Sequence, residues 1–166
     1  VAEVLESAPT VIGATLYAPD KIMHGASLGW PTMYAGLKLW MSEGFFPKMC
    51  RQLLESGYQV YVSADHGNVE PIAVGKLDEG RLVDNKGERM RRYANTTLRD
   101  RGLELLGEKA LPLNAKGLPD DYFALVARGR GAFVSDGERI VCHGGLSVDE
   151  LFVPWIRIAV EPSQGS

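Results

Sequence analysis

Apolar, β-prone residues alternate with polar ones from Tyr58 to Val62, and a period of two predicts a strand there. Three further stretches read the same way: Val11 to Ala18, Arg139 to Cys142 and Trp155 to Val160. Elsewhere the period lengthens. Met33, Leu37, Trp40 and Met41 recur at helical spacing behind Pro31, whose missing N–H is not needed in a first turn. Gly44 and Pro47 interrupt that pattern. Phe46, Met49, Cys50, Leu53 and Leu54 resume it, and Gly57 is placed to close the segment. Ser147 followed by Glu150 reads as a capping box for a short helix, with Pro154 near its end. The succession is strand, helix, strand, insertion, strand, helix, strand. It predicts an α/β fold with parallel pairing and a covered sheet.

The insertion runs from Asn68 to about Asp121 and is less regular. Residues Arg81 to Tyr93 read as a hairpin with its turn near Asn85 to Gly87. Asn95 or Thr96 can cap a helix that continues through Leu106 and stops at Gly107. Arg89, Arg91 and Arg92 form a basic cluster on the hairpin, and each taken singly is expected on its solvated face. Arg128 and Arg130 flank Gly129 in the segment leading toward His143, which makes them candidates for contact with a charged substrate. Glu161 to Ser166 is expected to be a disordered tail, leaving residues 1–160 as the folded unit.

Composition narrows the class without changing it. A chain of 166 residues, 45% hydrophobic and 23% charged, can bury one sizeable core. A formal net charge of −3 offers no global footprint for nucleic acid, so only the local arginine clusters keep that partner open. Two cysteines, Cys50 and Cys142, make no disulfide framework and suit a reduced, cytoplasmic setting. No apolar run is long enough to span a bilayer, so no membrane partner is expected.

The chemistry lies at the strand ends. Asp65-His66-Gly67-Asn68 follows the strand at 58–62, where an α/β sheet presents its binding crevice. The other two of the three histidines are also each followed by glycine: His24-Gly25 after the run at 11–18, and His143-Gly144 after 139–142. Asp20 and His24 are four apart, so one helical turn sets both on one face. Imidazole nitrogens and carboxylate oxygens offered together suit a divalent metal such as zinc. Cys142 neighbours His143, but alternation sends it to the opposite face as a buried structural thiol. Glu70 is placed to accept a hydrogen bond from a ligand imidazole.

In order along the chain, Asp20 with His24, then Ser63 to Asn68, then His143 to Gly145 resemble the alkaline phosphatase superfamily. Within it, Val141 to Trp155, Tyr122 to Val134 and Lys86 to Tyr93 are similar to the PglZ domain of BREX phage-defence systems. The resemblance runs from about Val11 to Val160. It implies an alkaline-phosphatase-like three-layer sandwich, here partial, with a β-hairpin and helix insertion. It implies two divalent metal ions, zinc first, with manganese or magnesium as alternatives. Asp20, His24 and His143 correspond to ligands of one ion, and Asp65 and His66 to ligands of the other. The family also uses a further Asp and a Ser or Thr nucleophile, expected upstream, so this chain is read as a C-terminal portion that lacks the catalytic hydroxyl.

The implied reaction is hydrolysis or transfer of a phosphate ester between two metals about 4 Å apart. The implied partners are that ester and other phage-defence proteins. Two alternatives stand beside this reading. One is a non-catalytic, metal-stabilised binding or regulatory module of a defence complex. The other is a different phosphotransferase of the superfamily, such as a cofactor-independent phosphoglycerate mutase.

Overall fold

A computed structural model describes residues 2–76, 85–114 and 116–160. Four helices open the chain: α1 (Ala2–Glu6), α2 (Ala18–His24), α3 (Trp30–Ser42) and α4 (Phe45–Glu55). The strands β1 (Val60–Val62), β2 (Ile72–Ala73), β3 (Asn85–Lys86) and β4 (Met90–Tyr93) follow. Helix α5 (Thr96–Leu106) leads to β5 (Ala110–Pro112), β6 (Phe123–Ala127) and β7 (Gly131–Ala132). The chain closes on α6 (Val148–Leu151) and β8 (Ile156–Ile158). The fold is mixed α/β with short sheets, and among the described residues no helix is long and apolar enough to cross a membrane.

The local signals for the helices act as expected. Pro31 falls in the first turn of α3, and Gly44, left-handed at φ 79°, separates α3 from α4. Asn95 Oδ1 accepts from the Leu98 N–H at 2.9 Å to cap α5, and Gly107 ends that helix at φ 54°. Ser147 and Glu150 form the capping box of α6.

The largest sheet is the insertion itself, antiparallel in the order β3-β4-β6-β5. Helix α5 packs on it through Leu98, Leu103 and Leu106, against Tyr93, Leu125, Ala127 and Phe133. Gly102 permits the approach, because a Cβ there would lie 2.3 Å from the Tyr93 hydroxyl oxygen. A second core gathers Met23, Ala26, Met33 and Val141 beneath α2 and α3. A third joins Val69, Ala132, Val134 and Cys142. Cys142 is thus the structural thiol expected, its pKa pushed up to about 12 chiefly by burial.

Several expectations are corrected. Residues 11–17 form no strand: Val11 is 82% exposed, no strand among the described residues pairs with the segment, and without a ladder its backbone groups are left to water. The stretch from Arg139 to Cys142 reduces to a single antiparallel bridge, Val69 with Cys142. Parallel pairing occurs between β2 and β7, whereas β1 pairs antiparallel with β8. The direction of β8 follows from where α6 and Pro154 deliver the chain, with Ser63 Oγ donating to the Pro154 carbonyl at 2.9 Å. The hairpin turn sits at 87–89, two residues later than expected, since Asn85 and Lys86 already pair with Arg92 and Arg91. Arg89 and Arg91 are buried, at 0% and 5% exposure, so the hairpin face that carries them is not solvated. Arg92, between Arg91 and Tyr93 on β4, remains exposed. The tail at 161–166 and the hairpin's residues 81–84 lie outside the described residues.

Candidate metal centre

Three separate segments deliver the three histidines to one place. Helix α2 sets Asp20 and His24 on one face, with Asp20 Oδ1 3.6 Å from His24 Nε2. Val69 and Cys142 exchange both backbone hydrogen bonds, at 2.9 and 3.0 Å. That bridge brings the turn at 65–68 alongside His143. The His66 and His143 rings stack with centroids 3.8 Å apart and 11° between their planes. The His24 ring meets His143 edge-on at 5.4 Å.

One potential ligand atom from each of Asp20, His24 and His143 lies within 4.8 Å of the others. Ligands at about 2.1 Å from a tetrahedral ion stand roughly 3.4 Å apart. The Asp20–His24 spacing of 3.6 Å is close to this, and the His143 nitrogen lies within 4.8 Å of both. Asp65 and His66 stand outside that trio as a second oxygen–nitrogen pair, with Asp65 Oδ1 3.8 Å from His66 Nε2. Asp65 is 90% exposed, and its Oδ1 also accepts the His66 backbone N–H at 3.1 Å. His66 Nδ1 lies 3.0 Å from the Gly67 carbonyl oxygen. Donation to that oxygen protonates Nδ1 and leaves the Nε2 lone pair free for a metal.

Electrostatics favour the state a ligand needs. The His143 pKa is lowered first by burial, then by the neighbouring His66 and His24, against the pull of Asp20 and Asp65. The shift favours the neutral imidazole that metal binding requires. Two residues after His66, in the same turn, Asn68 Oδ1 is buried and accepts no hydrogen bond from the described residues. An orphaned acceptor costs about 1–3 kcal/mol, which a bound ion's water shell can relieve. The donor set, its spacing and this unsatisfied oxygen all fit a divalent ion.

A cleft of about 460 Å³ opens beside the histidines, lined by His24, His143 and Gly144 together with Gly87, Glu88, Met90, Arg92 and Tyr122. The Arg92 guanidinium lies over the Tyr122 ring, 5.1 Å from its centroid. The Tyr122 hydroxyl faces Met90 Sδ at 3.7 Å. Arg92 makes no ion pair among the described residues. Sequence reasoning placed Arg92 in a cluster but did not single it out. Its signal was its place on β4, where alternation buries Arg91 and Tyr93 and turns Arg92 outward.

Arg128 and Arg130 lie elsewhere. Arg128 is exposed where β6 ends, and Arg130 is paired with Asp149 and donates weakly to the Glu70 carbonyl. Neither lines the cleft. Glu70 does not accept from an imidazole. Its carboxylate takes the Trp30 N–H at the start of α3 at 3.0 Å and Arg139 at 2.7 Å, which together hold its pKa down.

No curated protein matches the chain. The family model described as the BREX system PglZ alkaline phosphatase-like domain matches residues 32–158, a span that contains Asp65, His66 and His143 and begins after Asp20 and His24. With most of its length so matched, this chain belongs to the PglZ family of alkaline phosphatase-like domains of the BREX system.

Proposed function

We propose that this PglZ domain supplies ligands to a divalent-metal centre that hydrolyses or transfers phosphate esters in BREX phage defence, within a three-layer alkaline-phosphatase-like sandwich. The observation that carries the reading is the convergence of Asp20, His24 and His143 within 4.8 Å, with His66 stacked on His143. Residues so far apart in sequence have no structural need to gather three imidazoles at a surface. Nitrogen and oxygen donors favour zinc over magnesium, which prefers oxygen alone. Asp20, His24 and His143 would hold one ion, and Asp65 and His66 would contribute to a second.

Metal bound there would neutralise charge developing on the transferred phosphoryl group. The chain's own residues do the rest. The Gly67 carbonyl orients the His66 ring, and burial favours the unprotonated form of His143. Arg92, laid over Tyr122, lines the cleft and presents N–H donors to an anionic ester. Met90 and Tyr122 offer an apolar surface for the ester group. Glu88, also lining the cleft, disfavours a second anionic group there. Arg128 and Arg130 are the further candidates for substrate contact, Arg130 only if its pair with Asp149 opens.

The test is metal-dependent hydrolysis of nitrophenyl phosphate mono- and diesters by the full-length PglZ protein. Replacing His24 or His143 with Ala is expected to lower kcat/KM at least 100-fold. Replacing Arg92 is expected to raise KM with a smaller effect on kcat. Unchanged turnover in both histidine variants would remove the catalytic reading. Loss of turnover with intact phage resistance would instead favour the non-catalytic module.

A further inference from the structure

The turn that carries His66 and the loop that carries His143 are both fastened to Glu150, the first through its backbone carbonyl and the second through its carboxylate, which is half of a buried ion pair. Arg89 is fully buried and Glu150 nearly so. Arg89 Nε donates to Glu150 Oε1 at 2.9 Å and Nη2 to Oε2 at 2.7 Å, a bidentate fork. Its other donor bonds reach the carbonyls of Gly129, at 2.7 Å, and Gly131. The carboxylate also accepts the Gly145 N–H at 2.7 Å, the Ser147 N–H at 3.1 Å and the Ser147 hydroxyl at 2.6 Å. Burial alone would raise the Glu150 pKa, but the bonds from Arg89, Ser147 and Gly145 bring it down to about 2.

Both histidine segments meet this node through glycine. Gly67, directly after His66, donates its N–H to the Glu150 carbonyl at 2.8 Å. A Cβ at Gly67 would lie 1.9 Å from the Asp149 carbonyl oxygen. Gly145, two residues after His143, lies under the guanidinium, where a Cβ would be 2.3 Å from Arg89 Nη2. Stability gives no sufficient reason for the pair, because a buried ion pair is often matched or bettered by apolar residues of similar volume. A fully bonded fork does fix geometry: here it holds the His143 loop directly through Gly145, and it anchors the α6 residue whose backbone carbonyl receives the Gly67 N–H.

We propose that Arg89 and Glu150 are positioning residues that hold the His66 turn and the His143 loop in the register the metal centre needs. The inference rests on the metal-centre reading above. It also gives the hairpin insertion a task, since Arg89 lies in the β3–β4 turn and reaches across to α6.

The decisive variant is the double replacement Arg89→Met with Glu150→Leu, which removes both charges together and leaves no buried ion unpaired. Co²⁺ is titrated into wild type and variant, read by its visible absorption and by calorimetry. Far-UV circular dichroism and urea unfolding confirm folding. NMR of the metal-free proteins reads contacts between the His66 and His143 ring protons. The proposal expects a folded variant whose Co²⁺ affinity falls about 10- to 100-fold, with altered absorption and loss of the ring contact. A folded variant with wild-type affinity and the ring contact intact would overturn it. Should the double variant fail to fold, Ser147→Ala removes one bond at the rim of the node. A threefold or greater loss of Co²⁺ affinity then supports positioning, and none refutes it. Absence of Co²⁺ binding in wild type would instead overturn the metal-centre reading, and the positioning role with it.

Discussion

Gly67→Ala is the substitution whose consequence follows most directly from the geometry. The added Cβ would lie 1.9 Å from the Asp149 carbonyl oxygen, and the obstacle is backbone rather than the tip of a flexible side chain. Carbon–oxygen contacts start near 3.3 Å, so the two backbones must part by about 1.4 Å. That motion takes the Gly67 N–H to Glu150 carbonyl bond from 2.8 Å to beyond hydrogen-bonding range. Losing the bond costs about 1 kcal/mol, and overpacking adds about 1–3 kcal/mol. We expect destabilisation of about 2–4 kcal/mol, a large share of the roughly 5–15 kcal/mol typical of a domain. His66 moves with its neighbour, because its Nδ1 is bonded to the Gly67 carbonyl. Metal affinity should therefore fall as well, by about tenfold. Urea unfolding with and without Zn²⁺ measures both effects. Gly13→Ala is the control, since nothing lies within 4 Å of a Cβ there. A Gly67→Ala protein as stable as that control, with wild-type Zn²⁺ affinity, would refute the packing argument.

Further expectations concern single groups. Asn95→Ala removes the α5 cap and should cost about 1 kcal/mol in urea unfolding, with no change in metal affinity. Cys50 and Cys142 are buried with raised pKa values, so a disulfide reagent at pH 8 should label neither thiol in folded protein and both after denaturation. The lowered His143 pKa means that the unfolded chain binds more protons than the folded one below the ordinary value of 6.5. Stability is therefore expected to fall as pH drops from 6.5 toward the lowered folded-state value. In metal-free protein, His143→Gln should flatten that slope, as read from urea midpoints at pH 7.5 and 5.5.

Local chemistry was legible where the partners lie close in sequence. Asn95 and Gly107 bracket α5, Gly44 divides α3 from α4, and Ser147 with Glu150 starts α6, because each effect is settled within a few residues. The Asp20–His24 pair was legible for the same reason, being one helical turn apart. What depends on distant partners was harder to read. Residues 11–17 carry strand-like composition and find no strand to pair with among the described residues. Arg89 resembles any hairpin arginine until Glu150, 61 positions later, closes over it. The meeting of His66 with His143 depends on the Val69–Cys142 bridge, and no local pattern announces a bridge of one residue pair. Arg92 took its place on the cleft wall from strand register, which the hairpin fixes only once β4 has paired with β6.

The central claim is that the gathered histidines hold a metal, and anomalous diffraction at the zinc edge from Zn²⁺-soaked crystals tests it most directly. The account expects a peak at about 2.0–2.2 Å from a carboxylate oxygen of Asp20 and ring nitrogens of His24 and His143. A zinc-saturated crystal with no peak among those three residues would contradict it.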